Sequence, residues 1–386
     1  MLVQRLALKN WRNFRDVDIR LRENTYLLGA NATGKSNLLD VFRFLRDLSK
    51  PQGGGLQKAV SDRGGISKLR CLLVRRLPEV VIDAYLAESA DDPEPVWRYR
   101  VAFKPEGKGA QRILITSEQV SLGGETSPLM NRPNPDDRRD PARLTQTHLE
   151  QIQANAEFRA ISEFFRDTLY LHLVPQLLKY SDRIGGQRLE NDPFGQGFLE
   201  DVARTSPRTR DAWLRKIEQA LTMAVPQFKQ LRYVQDQISG HPHLEALDSH
   251  HRPNAGWQRE EDFSDGTLRL LGLLWSLLET NSLLLLEEPE LSLNDGIVKE
   301  IPLMLQRVQR DSKRRRQIII STHSEALLSN PGIDGRGILM LEAGAEGSIV
   351  RPIDQSEAAA LQAGLTPAEV VLPKTRPKTV EKLGSW

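Results

Sequence analysis

Eight residues, Gly29-Ala30-Asn31-Ala32-Thr33-Gly34-Lys35-Ser36, constrain this chain more than any other stretch, because they match G-x-x-x-x-G-K-[ST]. The preceding Thr25-Tyr26-Leu27-Leu28 reads as a short buried strand, and Asn37–Leu45 reads as a helix with apolar residues at 38, 42 and 45. Strand, glycine-hinged loop and helix N-terminus together form a phosphate cradle. The loop's N–H groups and the positive end of the helix dipole face anionic oxygens there. Lys35 is expected to reach the β- and γ-phosphates of a nucleotide, and the Ser36 hydroxyl to ligate Mg²⁺. The bland alternative is a glycine-rich turn capping an ordinary helix, and the rest of the chain weighs against it.

A length of 386 residues leaves room for one large α/β domain with an insertion, or for two domains. With 53 basic against 51 acidic residues, no global field favours nucleic acid, so any such contact must be a local patch. Cys71 is the only cysteine, which excludes internal disulfides and multi-cysteine zinc sites and fits a reducing compartment. The longest apolar run, Leu270 to Leu278, is too short to span a bilayer. The opening residues alternate polar and apolar, unlike a signal peptide. The expectation is a cytoplasmic protein without a membrane partner.

Alternation at Leu2–Leu8 and Val17–Arg22 predicts half-exposed strands, joined by the turn Asn10-Trp11-Arg12-Asn13-Phe14. Val80–Leu86, Val96–Phe103 and Arg112–Thr116 extend this into an antiparallel meander. Residues 123–144, with four prolines among Asp, Asn and Arg, read as a flexible linker. Leu149, Ile152, Ile161, Phe164, Phe165 and Leu169 suit one face of a long helix, and Ser206-Pro207 opens another that carries Trp213, Ile217 and Leu221. The last third alternates again. A helix at 267–279 precedes the strand Leu283–Leu286, a helix at about 295–310 precedes the strand Gln317–Ile320, and a short helix and two strands follow. Apolar strands alternating with helices predict a parallel sheet buried on both faces.

Three further motifs carry chemistry. Leu283-Leu284-Leu285-Leu286-Glu287-Glu288 puts two carboxylates at the end of a central strand, where open α/β sheets bind ligands. Glu287 suits Mg²⁺, and Glu288 suits orienting or deprotonating water. Ile318-Ile319-Ile320-Ser321-Thr322-His323 ends a second strand in polar residues, with His323 expected beside a γ-phosphate. Ser264-Asp265-Gly266-Thr267 opens the helix at 267–279; it reads either as a simple N-cap or as a helix start that binds the γ-phosphate held by a second subunit.

Cradle, serine–glycine helix start, double-glutamate strand and strand-plus-histidine, in that order, resemble the plan of ABC-type ATPase heads. The likeness is to the RecF, SMC and OLD-like class, and especially to compact AAA-annotated ATPases of bacterial anti-phage systems. Leu8-Lys9-Asn10-Trp11-Arg12-Asn13-Phe14 is similar to that class's opening motif. The resemblance implies an α/β P-loop fold of ABC-ATPase type: two lobes, a mixed-sheet core, an antiparallel β subdomain and a helical insertion. Residues 1–122 and 260–355 would form lobe I, 145–259 a helical lobe II, and 356–386 a tail.

By that likeness ATP and Mg²⁺ are bound. Arg12 and Asn13 make base-side contacts; Gly29, Asn31, Gly34, Lys35, Ser36 and Asn37 form the cradle; Ser264 and Gly266 act across a dimer; Ser36 and Glu287 hold the metal. Lys35, Glu288 and His323 serve catalysis, and Glu290–Asn294 runs along the dimer seam. The implied partners are a second copy, head to tail or in a higher oligomer, a separately encoded effector or nuclease, and possible DNA.

This chain also departs from the pattern. The helix start reads SDGT where transporters have SGGQ, the metal carboxylate is Glu where many members have Asp, and Gln146, Gln151 and Gln176 are all candidates for the Q-loop glutamine. Only 63 residues follow His323, too few for the TOPRIM domain of OLD proteins, so an effector activity is expected from another polypeptide.

Basic clusters stand at Lys313–Arg316, Arg138-Arg139 and Arg75-Arg76, and in the tail at Lys374–Lys378. Residues 1–22 hold six Lys/Arg against two Asp, enough for a basic strip on a sheet face. The alternative readings are a RecF-like repair ATPase and an ATP-bound scaffold that does not hydrolyse.

Overall fold

The helix that follows the cradle, Lys35–Leu48, has Leu38, Leu39, Val41, Phe42, Phe44, Leu45 and Leu48 all fully buried. A helix whose buried apolar residues spread over more than half its circumference must lie between two surfaces. The computed structural model describes residues 1–74, 79–107, 112–123, 128–180, 194–249, 256–279, 283–311 and 316–375, and it supplies both surfaces.

The strands, in chain order, are β1 (Leu2–Trp11), β2 (Phe14–Arg20), β3 (Asn24–Gly29), β4 (Val80–Ala87), β5 (Trp97–Pro105), β6 (Ile113–Leu122), β7 (Met130–Arg132), β8 (Leu169–Leu171), β9 (Phe228–Gln235), β10 (Pro242–Asp248), β11 (Gln258–Arg259), β12 (Leu284–Glu287), β13 (Ile318–Ser321), β14 (Ile338–Gly344) and β15 (Gly347–Pro352). One sheet runs β2-β1-β4-β5-β6-β7 and is antiparallel throughout. The second runs β15-β14-β3-β13-β12-β8 and is mixed: β3 pairs parallel with β13 and β14, while β14 and β15 form a hairpin. The helix Lys35–Leu48 packs on β3 and β13 on one flank. On the other, Phe44 meets Trp11 edge-on at 5.2 Å and stacks on Phe103 at 5.4 Å, tying the helix to the antiparallel sheet.

The chain divides into two compact units. One comprises Met1–Leu169, Asn281–Leu285 and Ser312–Trp386; the other comprises Tyr170–Thr280 and Leu286–Asp311. The chain passes from one to the other within β8 and within β12. The second unit has its own core, centred on Trp275, with Trp213 and Phe198 edge-on at 5.0 and 5.9 Å.

Several expectations need correction. The described part of the expected linker, 128–144, carries β7 and a capped helix, Pro135–Arg139. The cause is Arg132, fully buried, whose guanidinium donates to Glu118, to both oxygens of Asp137 and to the carbonyls of Arg143 and Gln146. The expected long helix from 149 to 169 shrinks to Arg159–Arg166, with Ile152 left 59 % exposed and Leu169 in β8. Glu118 takes the His148 and Leu149 N–H groups, which draws those amides away from a helix. The insertion is not purely helical, since β9, β10 and β11 form a three-stranded antiparallel sheet in it. The tail is folded through Thr375. Asp354 and Glu357, then Thr366 and Glu369, form capping boxes, and Lys374 reaches Glu357 at 2.6 Å.

Four of the six basic residues of the expected strip are held by acids. Arg5 pairs with Asp18, Arg12 with Asp40, Arg15 with Glu346 and Arg22 with Asp91. Arg75-Arg76, Lys313–Arg315 and residues 376–378 lie outside the described residues.

Candidate active site

The cradle is built as its sequence requires. Gly29 ends β3, where an added Cβ would lie 2.4 Å from the Leu341 carbonyl oxygen. Gly34 has φ +103°, a backbone region that L side chains rarely adopt. Between them, the Thr33 hydroxyl donates to the Ala30 carbonyl at 2.8 Å and closes the loop on itself. Lys35 folds back over that loop, its ammonium 2.9 Å from the Gly29 carbonyl oxygen and 3.2 Å from that of Ala30. Asn31 and Ser36 are exposed at the loop and the first turn of the helix.

The opening turn backs this loop. Asn13 donates to the Thr33 carbonyl at 2.9 Å and to the Ser348 hydroxyl at 2.7 Å, and accepts from Asn37 at 2.8 Å. Trp11 donates its indole N–H to the Asn37 carbonyl at 2.9 Å. Arg12 turns to Asp40 on the helix at 2.6 Å, beside Arg63. Burial pushes the Asp40 carboxyl up, but Arg63 and Arg12 outweigh it and hold the group below the usual carboxylate range. Asn13 thus supports the loop from behind, and Arg12 is engaged by an acid of the same unit.

The histidine motif joins the same unit. β13 runs parallel to β3 with Ser321 in register with Leu27, and the Thr322 N–H donates to the Leu27 carbonyl at 3.3 Å. His323 therefore follows its strand at the end where β3 gives way to the cradle.

Glu287 closes β12, which stands beside β13 in the strand order. Its carboxylate accepts from the Tyr170 phenol, and its carbonyl oxygen lies 3.3 Å from His172 Nδ1. Glu288 follows with φ +45°, an uncommon backbone for a residue with a side chain, at a point where the chain turns sharply. Ser292 repeats this at φ +62°, and Asn294 caps the helix Asp295–Asp311 through the Gly296 N–H. Neither Tyr170 nor His172 was singled out from the sequence; the only trace is a Leu-Tyr-Leu-His alternation too short to rank.

The serine–glycine helix start lies in the second unit. Ser264 accepts from the Thr267 N–H at 3.1 Å and shares a hydrogen bond with the Thr267 hydroxyl, so it caps the helix Asp265–Glu279. Gly266 is needed because a Cβ there would meet the Ser292 carbonyl oxygen at 2.6 Å. Asp265, the departure from the glycine-rich pattern, is turned back by Gln176 at 2.8 Å and Lys179 at 3.0 Å. Ser264, Gly266, Ser292 and Asn294 border a cavity of about 400 Å³. Of the three candidate glutamines, Gln151 donates to Gln146 at 3.3 Å, while Gln176 donates to Asp265.

Comparison with known proteins bears on the family and the fold. The family model described as "AAA domain, putative AbiEii toxin, Type IV TA system" matches residues 25–329. The chain belongs to this family. Among solved structures, the Smc head bound to the C-winged helix domain of ScpA aligns with a TM-score of 0.60 at 16 % identity, over 93 % of this chain and 100 % of that one. An Smc head domain from Pyrococcus furiosus, with an extended coiled coil and bound to the C-terminal domain of ScpA, gives 0.54 at 14 %, over 94 % and 98 %. At such identities the likeness is one of fold, and that fold is the ABC-type ATPase head of the SMC class. No curated protein matches the chain. No helix among the described residues is long and apolar enough to cross a membrane.

Proposed function

We propose that this protein binds and hydrolyses ATP, and that ATP joins two copies head to tail as a timed switch. The observation that carries the reading is the cradle, with Gly34 at φ +103°, Gly29 pressed against Leu341 and Lys35 lying over the loop carbonyls. A phosphate chain fits there because backbone N–H groups and one ammonium are its natural partners. Ser36 and Glu287 offer hard oxygen donors, the set that Mg²⁺ takes alongside water and phosphate. Bound there, Mg²⁺ would neutralise phosphate charge. Lys35 holds its ammonium toward the leaving phosphates, Glu288 orients and deprotonates water, and His323 donates to the γ-phosphate.

In this reading Ser264 and Gly266 serve the nucleotide of the other copy, so loss of the γ-phosphate releases the pair. The family's description, "putative AbiEii toxin, Type IV TA system", is in keeping with this switch; its proposed setting is anti-phage defence, with a separately encoded effector under its control. The single buried Cys71 supports a reducing, cytoplasmic setting.

The test is phosphate release by wild type against Glu288→Gln, with molar mass followed by light scattering in ATP. Turnover by wild type, together with ATP-dependent dimers that persist in the variant, is the expected result. Equal, near-zero turnover in both would replace the switch with a scaffold. An unchanged monomer at saturating ATP would remove the sandwich.

A further inference from the structure

β8 and β12 are neighbours at one edge of the mixed sheet. From β8, Tyr170, only 7 % exposed, donates its phenol hydrogen to Glu287 Oε2. Two residues on, His172 Nδ1 lies 3.3 Å from the Glu287 carbonyl oxygen. One short segment therefore grips both the side chain and the main chain of the residue at the end of β12. Directly beyond it the backbone bends into the left-handed region at Glu288, so the grip comes immediately before the strained residue.

We propose that Tyr170 is the positioning residue for the Glu287 carboxylate toward Mg²⁺–nucleotide, an inference that rests on the ATP-binding reading above. Glu287 has one more rotatable bond than the aspartate common at this place in similar chains. Left alone, its carboxylate would sweep over several positions, and ordering it would cost side-chain entropy each time metal bound. A phenol O–H on one oxygen fixes the rotamer in advance, so the carboxylate is already aimed when metal binds. The extra methylene and the tyrosine compensate each other: the longer side chain reaches β8, and β8 supplies the donor that holds it. His172 fixes the strand end from which that side chain springs.

The test is ATP binding by calorimetry in Mg²⁺ and again in EDTA, for wild type, Tyr170→Phe, Glu287→Asp and the double variant, with Lys35→Ala as control. Tyr170→Phe removes one hydroxyl. It should weaken Mg²⁺–ATP binding about tenfold, the loss of one hydrogen bond to a charged group, and leave metal-free binding within about twofold. In the Glu287→Asp background, where the carboxylate no longer reaches Tyr170, the same change should alter Mg²⁺–ATP affinity by less than about twofold. Equal losses with and without metal, or an unchanged Mg²⁺ dependence in Tyr170→Phe, would overturn the inference while the Lys35→Ala control keeps the nucleotide reading standing. Wild-type protein that binds no ATP in either condition would overturn both.

Discussion

The Asn13 side chain donates to the Thr33 carbonyl at 2.9 Å, and a Cβ on Gly34 would come 2.2 Å from the same Asn13 nitrogen. The first hairpin of the antiparallel sheet thereby shapes a loop that begins 16 residues later, and Gly34 is what lets the two touch. Gly34→Ala must displace Asn13 and also adopt φ +103°. Strain of that kind costs about 1–3 kcal/mol. Nucleotide affinity by calorimetry should fall roughly 5- to 150-fold, while Asn13→Ala, which removes support without a clash, should lose less. An unaffected Gly34→Ala protein would detach the hairpin from the site.

Lys35→Ala removes the one ammonium seated on the cradle carbonyls. Charge-assisted bonds of this type contribute about 1.5–3 kcal/mol, so ATP affinity should drop roughly 10- to 150-fold with little change in melting temperature. Retained affinity would reassign the loop as a helix cap.

Ser264→Arg places a long cation at the start of the helix Asp265–Glu279, where Ser264 now caps through the Thr267 N–H. Loss of the cap costs about 1 kcal/mol. ATP binding to the single subunit should persist, and sedimentation should show ATP-dependent pairing abolished. If binding itself is lost, Ser264 acts within its own subunit.

Arg132 neutralises Glu118 and Asp137, and all three side chains are fully buried. Arg132→Met strands two carboxylates without a cation. Breaking a buried network costs about 3–5 kcal/mol, a large share of a domain's stability, and urea denaturation should report it. Arg132→Lys should recover only part, because lysine offers three donors where the guanidinium uses five.

His148 has its titration pushed down to about 4 from 6.5, first by burial and then by Arg132. The unfolded chain takes up the proton at the higher value, so between pH 6.5 and about 4 the unfolded state binds more protons and stability falls on acidification. Above pH 6.5 this contribution is fully present. His148→Gln should flatten melting temperature against pH in that interval, as scanning calorimetry can measure. Parallel curves for the two proteins would exclude His148 as a source.

The motif-bearing elements were legible because each couples a periodic apolar pattern to a residue of special chemistry. Leu283–Leu286 before Glu287-Glu288, Ile318–Ile320 before His323, and the glycine loop before Lys35 all hold in the strands and helix observed. The failures have one cause. Residues 128–144 look polar and unpatterned, and Leu149 and Ile152 mimic a helical spacing, yet Arg132 and Glu118 organise both stretches through bonds that no local pattern encodes. The sheet of β9, β10 and β11 was missed for a related reason, since strand pairing sets its register and its flanking helices dominate the periodicity.

By itself the sequence determined the local chemistry: where a backbone needs glycine, which strands are buried, and which ionisable side chains stand at strand ends. Those are properties of single residues and their near neighbours, and sterics and hydrophobic periodicity write them directly into residue type. The tertiary structure alone decided which groups meet: Asn13 with Thr33, Arg12 with Asp40, Asp265 with Lys179, and Tyr170 with Glu287. The partners in the last pair are 117 positions apart, and only the pairing order of β12 and β8 brings a phenol to that carboxylate.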